Sequence, residues 1–299
     1  MKRVLTKNER RLHNRALLYK TAGQCFIWLI LILMYVPIMV LIVYSFTMAT
    51  NIGTWTGFSF GLYVNLFTTD EGGEIMTALG NTLIIALVSA IVSTILGTCG
   101  AIGAFYSKQR ARNIIETTTQ IPVVNAEIVM ALSLTVMFVF VQSVILRGAN
   151  VFGFWTLLAG HIILEVPFVY LSVKPKLQQM DPALYEAALD LGCTQRQALF
   201  KATMPEIMPG IASGFLLSIT LSLDDFIVTA FTRGAGLLSG DKNISTLSTL
   251  VQEKIKKGPI PPEMRALTTF IFLGVLAVAI FITIRRNRTV KKVRKGREA

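Results

Sequence analysis

Four carboxylates stand inside long apolar stretches of this 299-residue chain: Glu127, Glu165 and the adjacent pair Asp224 and Asp225. An acid at the centre of a membrane-spanning helix costs about 2.5–3.5 kcal/mol on insertion scales, so acids kept there face a partner, a cavity or a cation. No Lys or Arg lies within the same stretches to neutralise them. Carboxylates in such a setting suit an organic cation with several ammonium groups. Each ammonium must shed water, and a carboxylate offsets that loss. His161 lies four residues before Glu165, so the two share a helix face and are expected to satisfy each other. Asp224 and Asp225 point about 100° apart on a helix, so at most one faces a given cavity squarely. The other is expected to cap, or to bond Ser222 or a neighbouring helix. Tyr170, Phe226 and Trp155 could offer aromatic faces to a cation, although such residues more often pack or sit at the membrane interface.

The elements that must hold these groups follow from composition. Hydrophobic residues make up 53% of the chain and charged residues 15%, and the mean hydropathy is +0.60. Soluble domains carry roughly a quarter charged residues, which argues against disorder and against an ordinary cytosolic enzyme. Six apolar blocks, about 25–46, 79–105, 121–141, 153–173, 208–232 and 266–284, each approach the ~20 residues a spanning helix needs. The chain therefore reads as an all-α polytopic membrane protein with six transmembrane helices. The first block exceeds the ~7–15 residues of a signal h-region and reads as an uncleaved anchor. The expected divisions are a basic tail over 1–24, a six-helix transmembrane domain over 25–284 and a second basic tail over 285–299.

Charge sets the expected orientation. Of the 29 Lys and Arg, seven precede residue 21 and eight follow residue 284. With both termini in the cytoplasm, 22 fall inside and seven outside, which accords with the positive-inside rule. Six of the outside seven, from Arg233 to Arg265, sit in one long loop and strain the rule without reversing it. The basic tails suit anionic lipid headgroups, not nucleic acid. Three widely spaced cysteines, Cys25, Cys99 and Cys193, suggest neither a disulfide framework nor a metal site. The sequence has no G-x-x-x-x-G-K-[ST] phosphate loop, no H-E-x-x-H and no G-x-S-x-G, so neither nucleotide binding in the usual way nor those enzyme classes are expected. Neighbouring aspartates on one helix do not make a converging catalytic dyad. No cofactor is expected.

Two loops are more than connectors. Residues 174–207, on the inner side, read as helical. Asp181 suits the N-cap, Pro182 the first helical position and Gly192 the stop, and a second short helix follows over about 194–202. Residues 244–257 read as a short outer amphipathic helix ending at Gly258.

Within the inner loop stand Glu186-Ala187-Ala188, then Gly192, then Met204-Pro205. This resembles the EAA loop of ABC-importer permeases, E-A-A-x3-G-x9-I-x-L-P, with Ala202 and Met204 at the Ile and Leu positions. The segments Gly214 to Asp225, Glu127 to Leu134, Tyr35-Val36-Pro37 and Pro262 to Leu267 are similar to spermidine/putrescine permeases of that MetI-like family. The resemblance runs from about residue 30 to 285. It implies a type I importer transmembrane domain in a bacterial inner membrane. It also implies an ABC ATPase dimer that binds the ATP, a second related permease and an extracellular polyamine-binding protein. Carried over by position, Glu186, Ala187 and Gly192 belong to the helix the ATPase grips. Asp224, Asp225, Glu127, Glu165 and Tyr170 are the pathway candidates. The alternatives are a permease for another small solute and, in a different class, a stand-alone ion-coupled carrier, for which no inverted repeat is visible.

Overall fold

The structure, a computed structural model, describes residues 7–51, 53–145, 147, 152–233, 244–258, 261–277 and 280. Hydrocarbon offers the backbone no hydrogen-bonding partner, so a spanning chain must satisfy its amides within helices. The regular elements described are all helical. In chain order they are α1 (Lys7–Tyr44), α2 (Gly61–Thr68), α3 (Asp70–Tyr106), α4 (Gln109–Val124), α5 (Glu127–Phe140), α6 (Phe154–Gln179), α7 (Ala183–Asp190), α8 (Gln195–Ala198), α9 (Met204–Asp224), α10 (Ile227–Thr232) and α11 (Leu247–Lys257). A final helix, α12, covers 263–277. Wider π turns, Val141–Ile145 and Leu199–Thr203, extend α5 and join α8 to α9.

Among the described residues five helical stretches are long and apolar enough to cross a membrane: Tyr19–Tyr44, Asp70–Tyr106, Glu127–Ile145, Phe154–Gln179 and Gln195–Asp224. They correspond to the first five expected blocks. The sixth, 266–284, is helical to residue 277, and most of its remainder lies outside the described residues, as does the basic tail 285–299.

Two expected spans differ from the hydropathy reading. The third block does not begin at residue 121. Pro122 lies within the last turn of α4, Asn125 and Ala126 are extended (ψ 146° and 136°), and α5 starts at Glu127. Glu127 therefore occupies a helix start, where free backbone N–H groups and the helix dipole favour an acid, and not the middle of a span. The fifth block is also interrupted. Asp225 turns to an extended ψ of 123°, α9 ends, and α10 begins at Ile227. At its other end the short helix expected over 194–202 does not stop before the span but continues through the π turn into α9.

The chain forms two compact units, residues 1–73 with 259–299, and residues 74–258. In the first, Phe46 stacks on Phe58 at 5.2 Å and meets Phe60 and Tyr63 edge-on or tilted. Arg265, 4% exposed, donates to the carbonyls of Ala49 and Thr50. That arginine brings the start of α12 to the segment that follows α1.

The second unit is built around α6. Lipid tails are as apolar as leucine, so close backbone approach through small residues is what brings spanning helices together. Val169 shows this: a methyl group at Gly97 of α3 would lie 2.7 Å from its Cβ, and one at Gly214 of α9 would lie 3.2 Å from its Cα. Ala101, Ala104, Tyr170, Val173, Leu177 and Ile207 complete that cluster. A second cluster joins Ala131 of α5, Leu164 of α6 and Val228 of α10. The amphipathic helix expected over 244–257 is α11. Leu247 N donates to Thr82 Oγ1 (2.8 Å) and Asn81 Nδ2 to the Ser245 carbonyl (3.1 Å), while Lys254 pairs with Glu74 (3.1 Å).

Candidate functional site

The interruption of the fifth block places two neighbouring acids in opposite environments. Asp224, the last residue of α9, is exposed, and its carboxylate has no hydrogen-bond or ion-pair partner among the described residues. Asp225 is 6% exposed. Its Oδ1 accepts from Val228 N (3.2 Å), and its Oδ2 accepts from Thr229 N and Thr229 Oγ1 (both 2.8 Å). These bonds cap the free amides of α10, the task an aspartate performs well. Glu127, also exposed, lies within electrostatic range of Asp225 and Asp224. The start of α5, the end of α9 and the turn into α10 thus each carry one carboxylate inside the sequence's apolar blocks.

His161 and Glu165 do not pair as their spacing suggested. His161 Nδ1 meets Ser222 Oγ (2.8 Å) and its Nε2 meets Thr229 Oγ1 (2.9 Å), with Asp225 Oδ2 3.6 Å away. Glu165 is fully buried, and its two carboxylate oxygens accept from Ser89 Oγ and Ser93 Oγ of α3, each at 2.7 Å. A carboxylate so placed is satisfied by hydroxyls instead of a counter-charge. It fastens α6 to α3. Ser89 and Ser93 are four residues apart on one face of α3, the signal by which their common target could have been sought.

Tyr170 is 3% exposed and belongs to the packing cluster around Val169, apart from the acids. Beside it lies a small recess lined also by Arg112, Glu116 and Lys174. Glu116 Oε1 accepts from Arg112 Nε and from Lys174 Nζ, both at 3.0 Å. The Arg112 guanidinium first, and then the Lys174 ammonium, hold the Glu116 carboxyl below its ordinary value of 4.5. This ion pair ties α4 to α6.

Sequence reasoning missed Arg233, which directly follows the fifth block. It is 3% exposed, donates to Thr249 Oγ1 (3.1 Å) and to Glu253 Oε1 (2.6 Å), and so draws α11 against α10.

At the far end of α6, local capping shapes α7 as the sequence suggested. Asp181 Oδ1 accepts from Ala183 N (2.9 Å). Gly192 takes φ +84°, while Gly192 N donates to Leu189 O (2.9 Å) and Cys193 N to Ala188 O (3.1 Å). That pair of bonds is a Schellman stop, which needs a residue at ease with positive φ. Glu186, Ala187 and Gly192 are all exposed. So are Leu184, at 46%, and Leu191, at 86%. Residues 184, 187, 188 and 191 share one face, so α7 presents an uncovered apolar stripe with Glu186 beside it.

Comparison with known proteins agrees with this architecture. The family described as "Binding-protein-dependent transport system inner membrane component" matches residues 95–295. The putrescine transport system permease protein PotI of Escherichia coli K12 is 32% identical, covering 90% of this chain and 96% of PotI. The spermidine/putrescine transport system permease protein PotC of Haemophilus influenzae is 31% identical, covering 88% and 96%. Among solved structures, a bacterial ABC transporter that imports the acidic polysaccharide alginate has a similar fold. Its TM-score is 0.68 at 20% identity, with 93% of this chain and 96% of that chain covered.

Proposed function

The chain belongs to the family of binding-protein-dependent transport system inner membrane components, and from that premise we propose that it is one permease subunit of an ATP-driven importer of polyamines such as putrescine and spermidine. It is a multi-pass membrane protein and a transport component, not an enzyme. The observation that carries the cargo assignment is a pair of exposed carboxylates, Asp224 at the end of α9 and Glu127 at the start of α5, set apart from the buried Asp225, in a chain whose curated relatives are named as putrescine and spermidine/putrescine permeases. An ammonium that leaves water regains charge-assisted hydrogen bonds there, and crowded carboxylates are relieved by a cation between them.

The cycle divides among partners. A binding protein outside the membrane delivers the cation, and a second permease of the same family completes the pathway. Two cytoplasmic ATPase subunits bind the ATP, for which this chain has no phosphate loop. They grip α7 through its uncovered stripe of Leu184, Ala187 and Leu191, with Glu186 at its edge and Gly192 fixing its end. ATP-driven closure shifts the balance between inward- and outward-facing states, because each ligand prefers one of them. Glu165 and Tyr170, both buried in packing, support the walls. The membrane is the bacterial inner membrane with both termini in the cytoplasm, as the excess of 22 Lys and Arg over seven supports, and the basic tails rest on anionic lipid.

The test is ATP-dependent uptake of labelled putrescine and spermidine by proteoliposomes that hold the whole complex. Asp224→Asn should weaken uptake at limiting cargo. Undiminished uptake by that variant would remove the site assignment.

A further inference from the structure

We propose that Asp225 is a positioning residue that binds no cargo: it fixes the break in the fifth span and so aims Asp224 at the pathway. The inference rests on the polyamine reading above and divides the work of two adjacent, chemically identical side chains.

The geometry argues it from both sides of the break. Asp225 N closes α9 on Leu221 O at 3.0 Å, and its carboxylate holds the first amides of α10. Three donors already occupy it, Val228 N, Thr229 N and Thr229 Oγ1, and His161 Nε2 crowds Oδ2 at 3.6 Å. A carboxylate offers about four acceptor positions. An ammonium that took this one would strip two buried amides of their only acceptor, in surroundings without water to replace it.

His161 straddles the same joint. It reaches Ser222 on α9 through Nδ1 and Thr229 on α10 through Nε2. With the proton on Nε2, every bond has one donor: Ser222 Oγ–H to Nδ1, Nε2–H to Thr229 Oγ1, and Thr229 Oγ1–H to Asp225 Oδ2. From a fourth direction Ser248 Oγ of α11 donates to the Asp225 carbonyl at 2.9 Å. Asp225 is thus the point where α6, α9, α10 and α11 are pinned together. Asp224, one residue earlier and outside this network, keeps its carboxylate free among the described residues.

The two roles separate in transport kinetics of the complete complex in proteoliposomes. Asp224→Asn should raise KM for putrescine and spermidine about tenfold or more, the scale of a lost charge-assisted contact. Asp225→Asn keeps one acceptor oxygen for the start of α10 and loses the other, so it should keep KM near the wild-type value and lower Vmax less than Asp225→Ala does. Asp225→Ala releases the joint and with it the aim of Asp224, so it should raise KM and lower Vmax. His161→Ala should do the same, and the double variant should be no worse than either single one. The proposal is overturned if Asp225→Asn raises KM as Asp224→Asn does, or loses uptake as fully as Asp225→Ala.

A cargo-independent measurement separates failure of this inference from failure of the polyamine reading. Should wild-type vesicles accumulate neither polyamine, the functional reading alone fails, and thermal unfolding of the purified full chain in detergent still reads the joint. Asp225→Ala and His161→Ala should lower Tm to a similar degree and without additivity, Asp225→Asn should lower it less, and Asp224→Asn should leave it in place. An unchanged Tm in Asp225→Ala would refute the joint outright.

Discussion

Tyr185 of α7 packs its ring on Tyr106, the last residue of α3, with centroids 5.3 Å apart, and the Tyr106 hydroxyl lies 3.4 Å from Thr203 Oγ1 in the π turn that leads into α9. One side chain thus joins α7 with two spanning helices. Aromatic pairs contribute about 0.5–1.5 kcal/mol beyond burial, so Tyr185→Ala should reduce polyamine taken up per ATP hydrolysed by roughly two- to tenfold. Tyr185→Phe should keep it. The check is paired measurement of uptake and phosphate release in the same vesicles.

The uncovered stripe of α7 yields a second expectation. Leu191 is 86% exposed, and an anchor of this kind at the centre of an interface costs more than about 1 kcal/mol when lost. Leu191→Asp should reduce co-purification of the ATPase severalfold. Glu186→Lys should leave insertion into the membrane intact and abolish the coupling of hydrolysis to uptake.

Gly192 tests the shape of the same helix. Its φ of +84° is left-handed, where a Cβ costs roughly 1–2 kcal/mol. No atom lies within 4 Å of the place a Cβ would occupy, so the penalty for Gly192→Val is conformational and not steric. The variant should insert normally but show weaker ATPase association and greater proteolysis around 190–194. Gly192→Asn, which tolerates this backbone region, should recover most of the loss.

Glu116 offers a pH dependence. Arg112 and Lys174 hold its pKa below the ordinary 4.5, so the folded chain favours the deprotonated carboxylate more strongly than the unfolded chain does. Its contribution is complete above the ordinary value and fades as pH falls through the lowered one. The side chain is 23% exposed, and a partly solvated pair of this kind is worth less than about 1 kcal/mol. Melting curves of wild type and Glu116→Gln should differ by a constant small amount at neutral pH and converge in acid.

The α7 loop could be read from sequence because its determinants are local. An Asp181-Pro182 start and a glycine stop act over a single turn, and the structure reproduces both. The spans could be located by hydropathy, but their breaks could not. An extended Asn125-Ala126 pair or a single extended residue at Asp225 changes no apolar average, yet the first moves Glu127 to a helix start and the second turns Asp225 into a cap. An aspartate two to four residues before Ile227-Val228-Thr229 was the available hint. Long-range partners were beyond reach: the i, i+4 rule joined His161 to Glu165, whereas tertiary packing brought Ser222 and Thr229 to one and Ser89 and Ser93 to the other. Arg233 read as a loop charge because Glu253, twenty residues on, could not be recognised as the partner that allows its burial.

The most direct measurement is putrescine accumulation by proteoliposomes reconstituted with this chain, its partner permease, the ATPase and the binding protein, with and without ATP. Concentration of the cation inside the vesicles only when ATP is present, and its loss in Glu186→Lys vesicles whose protein content is unchanged, is the predicted result. Equal accumulation without ATP, or accumulation by this chain alone, would contradict the account.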